Sequence, residues 1–73
     1  MNSTMEELVG IRKELKAIGI NINQLVKRFH STSQQTQKAF YAIKTIELYE
    51  KVETKVDRLL VLVSTLTQKW LQE

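Results

Sequence analysis

The stretch 8–29, LVGIRKELKAIGININQLVKRF, decides the fold. Its apolar side chains stand at Leu8, Ile11, Leu15, Ile18, Ile22, Leu25 and Phe29, separated alternately by three and four residues. Steps of three and four return a side chain to one face of an α-helix, and a sustained 3.5-residue repeat lets helices supercoil about one another. The same alternation recurs at Tyr49, Val52, Val56, Leu59, Val63, Leu66 and Trp70. Two such runs around a polar interval predict an all-α chain that works through helix–helix association, not through a pocket.

Punctuation sets the helix limits. Ser3 and Thr4 each precede a glutamate, Glu6 and Glu7, by three residues, the spacing of a capping box. The first helix is expected from about Thr4 to about Phe29, roughly 40 Å long. From His30 to Gln37 the chain is polar, and Ser31-Thr32-Ser33 are three hydroxyl residues in a row. Such residues compete for backbone hydrogen bonds and favour caps over helix interiors. A polar turn over about 30–33 is expected, with Thr32 or Ser33 capping a second helix that runs from about Ser33 to about Leu71, and Gln35 or Thr36 reaching back. Short connections make neighbouring helices antiparallel. The expected architecture is a single helical domain over 1–73, an antiparallel helical hairpin assembling into an oligomeric bundle or coiled coil. One continuous helix is the competing arrangement, because the interval holds neither Gly nor Pro.

In the second helix the repeat is strict only from Tyr49 onward; Ala39, Phe40, Ala42, Ile43 and Ile46 drift to another face. Glu47 and Lys51 form the expected i,i+4 ion pair. The second helix is the longer one, so its last turns overhang, exposing Leu66, Trp70 and Leu71 unless another chain covers them. A homo-oligomer, dimer or tetramer, is expected, with Val52, Val56, Leu59, Val63, Leu66 and Trp70 in its interface.

Composition narrows the function. Seventy-three residues bury little surface unaided. Cysteine is absent, which excludes a disulfide framework and a thiolate metal cage. The apolar runs are too short to span a membrane, and the segment from Met1 to Glu7 lacks the basic and apolar regions of a signal peptide. Cytoplasm is the expected compartment. The net charge of +3 is unevenly spread. Between Leu15 and Ile46 there is no acid, while Lys16, Lys27, Arg28, Lys38 and Lys44 are basic. That middle region is either a solvated cationic surface or a contact for an acidic partner, nucleic acid first.

No catalytic constellation is assembled. His30 stands alone with neither Cys nor carboxylate beside it, and suits a helix C-terminus. Glu50, Glu53 and Asp57 share a helix face, and read as a solvated acidic surface before a cation site. Gly10 and Gly19 belong to no phosphate-cradling loop. No enzyme activity, cofactor or metal is expected. Arg12, Lys13, Lys16, Lys27 and Arg28 make the first helix amphipathic, but Asn21, Asn23 and Gln24 interrupt the cationic face that a membrane surface would select. A glycine within a helix costs ~1 kcal/mol relative to alanine, so Gly19 asks for a reason. Close approach of another helix is one, with Asn21, Asn23 and Gln24 setting register or meeting a nucleic-acid backbone or base edges.

The string Leu-Lys-Ala-Ile-Gly-Ile-Asn-Ile-Asn-Gln-Leu-Val-Lys-Arg, from Leu15 to Arg28, resembles the signature of the MobC-like proteins. These are relaxosome accessory proteins of plasmid and transposon mobilisation. Their pattern reads roughly Leu-Arg-x-Ile-Gly-x-Asn-Leu-Asn-Gln-Leu-x-Arg. The match falls on Leu15, Lys16, Ile18, Gly19, Asn21, Ile22, Asn23, Gln24, Leu25 and Lys27 or Arg28. The resemblance implies a role in conjugative mobilisation, with contacts to the relaxase or other relaxosome proteins and to DNA at a transfer origin. Gly19, Asn21, Asn23 and Gln24 would form the partner or helix-crossing motif, and Lys16, Lys27, Arg28, Lys38 and Lys44 the nucleic-acid contacts. Family members carry a ribbon-helix-helix DNA-binding region before this motif, and nothing ahead of Leu8 could form one. The expectation is therefore the C-terminal helical region of such a protein, or a short variant. A purely structural coiled-coil oligomerisation or adaptor domain is the alternative.

Overall fold

A computed structural model describes residues 3–72. Two helices account for nearly all of them: α1, Ser3–Ser31, and α2, Gln35–Gln72. The fold is all-α, and the described residues include no strand. The chain measures 59 × 18 × 13 Å. Its long dimension is about that of α2 alone at 1.5 Å per residue.

The hydroxyl cluster breaks the helix, as its chemistry predicts. However, α2 starts at Gln35, so its N-cap position is Gln34, whose carbonyl accepts from the Lys38 N–H at 3.0 Å, and not Thr32 or Ser33. The Thr32 hydroxyl oxygen accepts from the Gln34 backbone N–H at 3.3 Å and donates to the Gln37 side-chain carbonyl at 2.6 Å. Gln37, not Gln35 or Thr36, reaches back. On the α1 side the Ser31 hydroxyl and the Thr32 N–H both donate to the Arg28 carbonyl, satisfying an otherwise orphaned acceptor. The turn needs no glycine, because none of its residues adopts a positive φ.

At the other end, α1 already includes Ser3 and Thr4, so neither serves as the N-cap of the expected capping boxes with Glu6 and Glu7. Glu7, expected in a capping box, is instead held across the helix pair. The Arg58 guanidinium donates to its two carboxylate oxygens at 2.6 and 3.0 Å. Two turns further along α1, Glu14 meets Lys55 Nζ at 2.6 Å. Beside these bridges the start of α1 lies against the later part of α2: Met5 shares a hollow with Val63, Leu66 and Trp70. The end of α1 lies against the beginning of α2, where Val26 and Phe29 adjoin Ala42, Thr45 and Ile46.

The apolar seam of α1 falls where the repeat puts it. Ile11 is buried, and Leu8, Leu15, Ile18, Ile22, Leu25 and Phe29 are half-buried. In α2 the expected row splits. Val52, Leu59 and Leu66 are half-buried towards α1, but Val56, Val63 and Trp70 are exposed, and so is Tyr49. The other half of the seam belongs to Leu48, Lys55 and Leu62, one residue earlier, with Leu62 the one buried member. Lys55 holds its place there by laying its stem along the seam and ending on Glu14. Trp70 and Leu71 overhang as expected, at 83% and 82% exposure, while Leu66 is covered.

Candidate functional site: two unlike flanks of the helix pair

The seam divides the surface of the pair into two long flanks. Heptad arithmetic assigns them: residues one step before the seam rows fall on one side, and those one step after on the other.

The first flank is polar. It carries the Glu7–Arg58 and Glu14–Lys55 bridges near one end. Towards the interhelical turn it opens into a shallow groove of about 450 Å³. Asn21, Gln24, Leu25 and Arg28 of α1 line it, facing Phe40, Lys44, Glu47, Leu48 and Lys51 of α2. Three cations and two carboxamides therefore border one groove against a single acid. Lys44 Nζ is 3.3 Å from Glu47 and 5.6 Å from the centre of the Phe40 ring. The ion pair of this turn is thus Lys44–Glu47 in place of the expected Glu47–Lys51, which leaves Lys51 to the groove. Phe40 is 54% exposed beside these donors. A surface of this kind can hold a phosphate backbone by charge and an unstacked base by its aromatic face.

Of the residues singled out from sequence, Asn21, Gln24, Arg28 and Lys44 meet in this groove. Others do not. Gly19 and Asn23 fall on the opposite side of α1, at ~100° per residue, so the four-residue motif is divided between two flanks. Lys16, one step after Leu15, falls on the same side as Gly19 and Asn23, and Lys27 faces outward. Lys38 is half-buried, with its Nζ 5.1 Å above the Phe29 ring, and serves the helix–helix contact. Phe40 and Lys51 were not picked out from sequence. The signal for Phe40 was present as a large apolar residue outside the seam, four positions before a lysine.

The second flank is apolar on its α2 side. Ala42, Tyr49, Val56, Val63 and Trp70 follow one another at heptad spacing, with Ile46 and Leu60 beside them. Tyr49 is 61% and Leu60 60% exposed. Gly19 lies on the α1 side of this flank, and a Cβ placed on it meets no atom within 4 Å. No helix of this chain crosses closely there.

No family model, curated protein or solved structure matches this chain. Among the described residues no helix is long and apolar enough to cross a membrane, and no group of three His, Cys, Asp or Glu side chains is gathered for a metal ion.

Among the described residues, electrostatic perturbation is seen at the Glu7–Arg58 bridge. The hydrogen bonds from Arg58 hold the Glu7 carboxyl below its ordinary value, against an opposing effect of partial desolvation, and its charge adds to the lowering. Reciprocally the Glu7 hydrogen bonds raise Arg58.

Proposed function

We propose that this chain is an antiparallel helical hairpin that self-associates, and that it serves as a non-catalytic accessory module in DNA mobilisation, a relaxosome component of the kind its Leu15–Arg28 stretch resembles. The groove that joins Asn21, Gln24 and Arg28 of that stretch to Lys44 and Lys51 of α2 carries the reading. Its cations would contact the phosphate backbone, and its carboxamides and Phe40 would add hydrogen bonding and stacking. Protein partners of the same system, a relaxase or another accessory protein, would read the outward face of α1, where Lys27 stands. The cytoplasm is the compartment where such a complex would work.

The test is binding of a fluorescein-labelled duplex, followed by anisotropy across a salt series. Backbone contact predicts log affinity falling linearly with log salt. Arg28→Gln together with Lys44→Gln should make that slope shallower by about 2. Binding that is insensitive to salt, or absent at low salt, refutes the DNA role.

The rival is a purely structural coiled-coil adaptor. The apolar flank favours it, because that flank implies a partner without implying a nucleic acid. Under the rival, the same double substitution leaves assembly intact and has no DNA phenotype.

A further inference from the structure

The geometry points to a second copy of this chain as the occupant of the apolar flank, in a two-fold four-helix dimer with Gly19 at the contact; this rests on the self-association proposed above and names the face that mediates it. Three observations carry it.

The first is area. The chain exposes 6025 Å². A compact globular chain of its 8.5 kDa would expose about 4,650 Å². The surplus is roughly 1,400 Å², against roughly 800 Å² per partner in a stable protein–protein interface. Among the described residues only Ile11 and Leu62 are buried in the isolated chain, so one helix pair leaves its core unfinished.

The second is the pattern of the flank. Along α2 it reads Ile46, Tyr49, Glu53, Val56, Leu60, Val63, Thr67, Trp70, in steps of three and four. That is a second heptad row beside the one spent on α1, which a single neighbouring helix cannot use. Its one charged member is Glu53. The α1 side of the same flank carries Arg12 and Lys16, and none of these three takes part in the ion pairs described above. In an isologous dimer each contact is made twice with the roles exchanged. Glu53 of one copy can then meet Arg12 or Lys16 of the other, and the reverse. The flank is complementary to itself in charge as well as apolar.

The third is Gly19. Met5 lies level with Val63, and Val26 with Ala42; interpolation between these ends sets Gly19 level with Tyr49 and Glu53. The open space above Gly19 is a notch midway along the flank, where a side chain of the second copy can seat without any clash inside the protomer.

Sedimentation equilibrium of the full chain at micromolar concentration tests this. The wild type should be a dimer, and Gly19→Leu should weaken it more than about tenfold while circular dichroism shows unchanged helicity. Val56→Glu with Val63→Glu should weaken it more than about a hundredfold, as burial of unpaired charge requires. If that variant also loses helicity, charge exchange decides. Arg12→Glu and Glu53→Arg should each weaken the dimer, and the two together should restore it. A monomeric wild type overturns the self-association reading itself. A dimeric wild type that tolerates every one of these changes overturns only the choice of face.

Discussion

Glu7 and Arg58 stand 51 residues apart in sequence, and their bridge ties the first turns of α1 to α2. Because Arg58 holds the Glu7 carboxyl below its ordinary value, the folded chain binds fewer protons there than the unfolded chain. The bridge therefore stabilises the fold above the ordinary carboxylate range, and the contribution is lost as pH falls through the folded-state value. Thermal melts of wild type and Glu7→Gln should differ most near neutral pH and converge in acid. Both groups are exposed, so added salt should narrow the neutral-pH gap. Gly19 invites the opposite kind of change. Nothing lies within 4 Å of its would-be Cβ, so Gly19→Ala should stabilise the isolated protomer by up to about 1 kcal/mol through helix propensity alone. Chemical denaturation at a concentration low enough to keep the chain monomeric would measure it.

At the scale of the elements, α1 was legible and α2 only half so. In α1 a single apolar row runs from Leu8 to Phe29, and nothing competes with it. In α2 two rows lie side by side and share neighbours. The row through Tyr49, Val56, Val63 and Trp70 is wholly apolar, whereas the row actually packed on α1 contains Lys55. Periodicity selects the apolar row. The structure selects the one whose lysine can reach Glu14, and that pairing spans the two helices and is invisible to a pattern read along one. The energetic weight moves with the register. Leu59 is half-buried, while Leu62 is 6% exposed. Leu62→Ala should cost about 2–3 kcal/mol in denaturant unfolding, and Leu59→Ala less. The break between the helices was legible from its hydroxyl residues. The choice of Gln37 as partner was not, because it depends on where the first helical turn closes. Thr32→Ala should cost about 1 kcal/mol, the usual net worth of a hydrogen bond. Of the candidate site, Asn21 and Gln24 are singled out by sequence in one motif and Arg28 separately among the basic residues. That they stand three and four apart on one side of α1 unites them only once the seam is placed. Gly19 and Asn23 were grouped with them by adjacency in sequence, although a helix sends neighbours to different sides.

For the whole molecule, the two flanks give the elongated pair a polar edge and an apolar edge. If the apolar edge is covered by a second copy, the basic grooves are left facing outwards. Stability should then depend on concentration, since a partner that binds only the folded state raises the melting midpoint. Melts over a hundredfold range of protein concentration should shift upward for the wild type and stay fixed for Val56→Glu with Val63→Glu.

The turn at Thr32 also bears on the order in which the pair forms. Contacts beside it, such as Lys38 on Phe29, close only a short loop, whereas the buried Ile11 and Leu62 lie far along the two arms. Loop closure grows more costly with chain separation, so folding should zip from the turn outwards. Removing the Thr32 hydrogen bonds of the turn should then slow folding, and truncating Ile11 or Leu62 should mainly hasten unfolding. The best-packed residues of this chain would be the last to meet and the first to part.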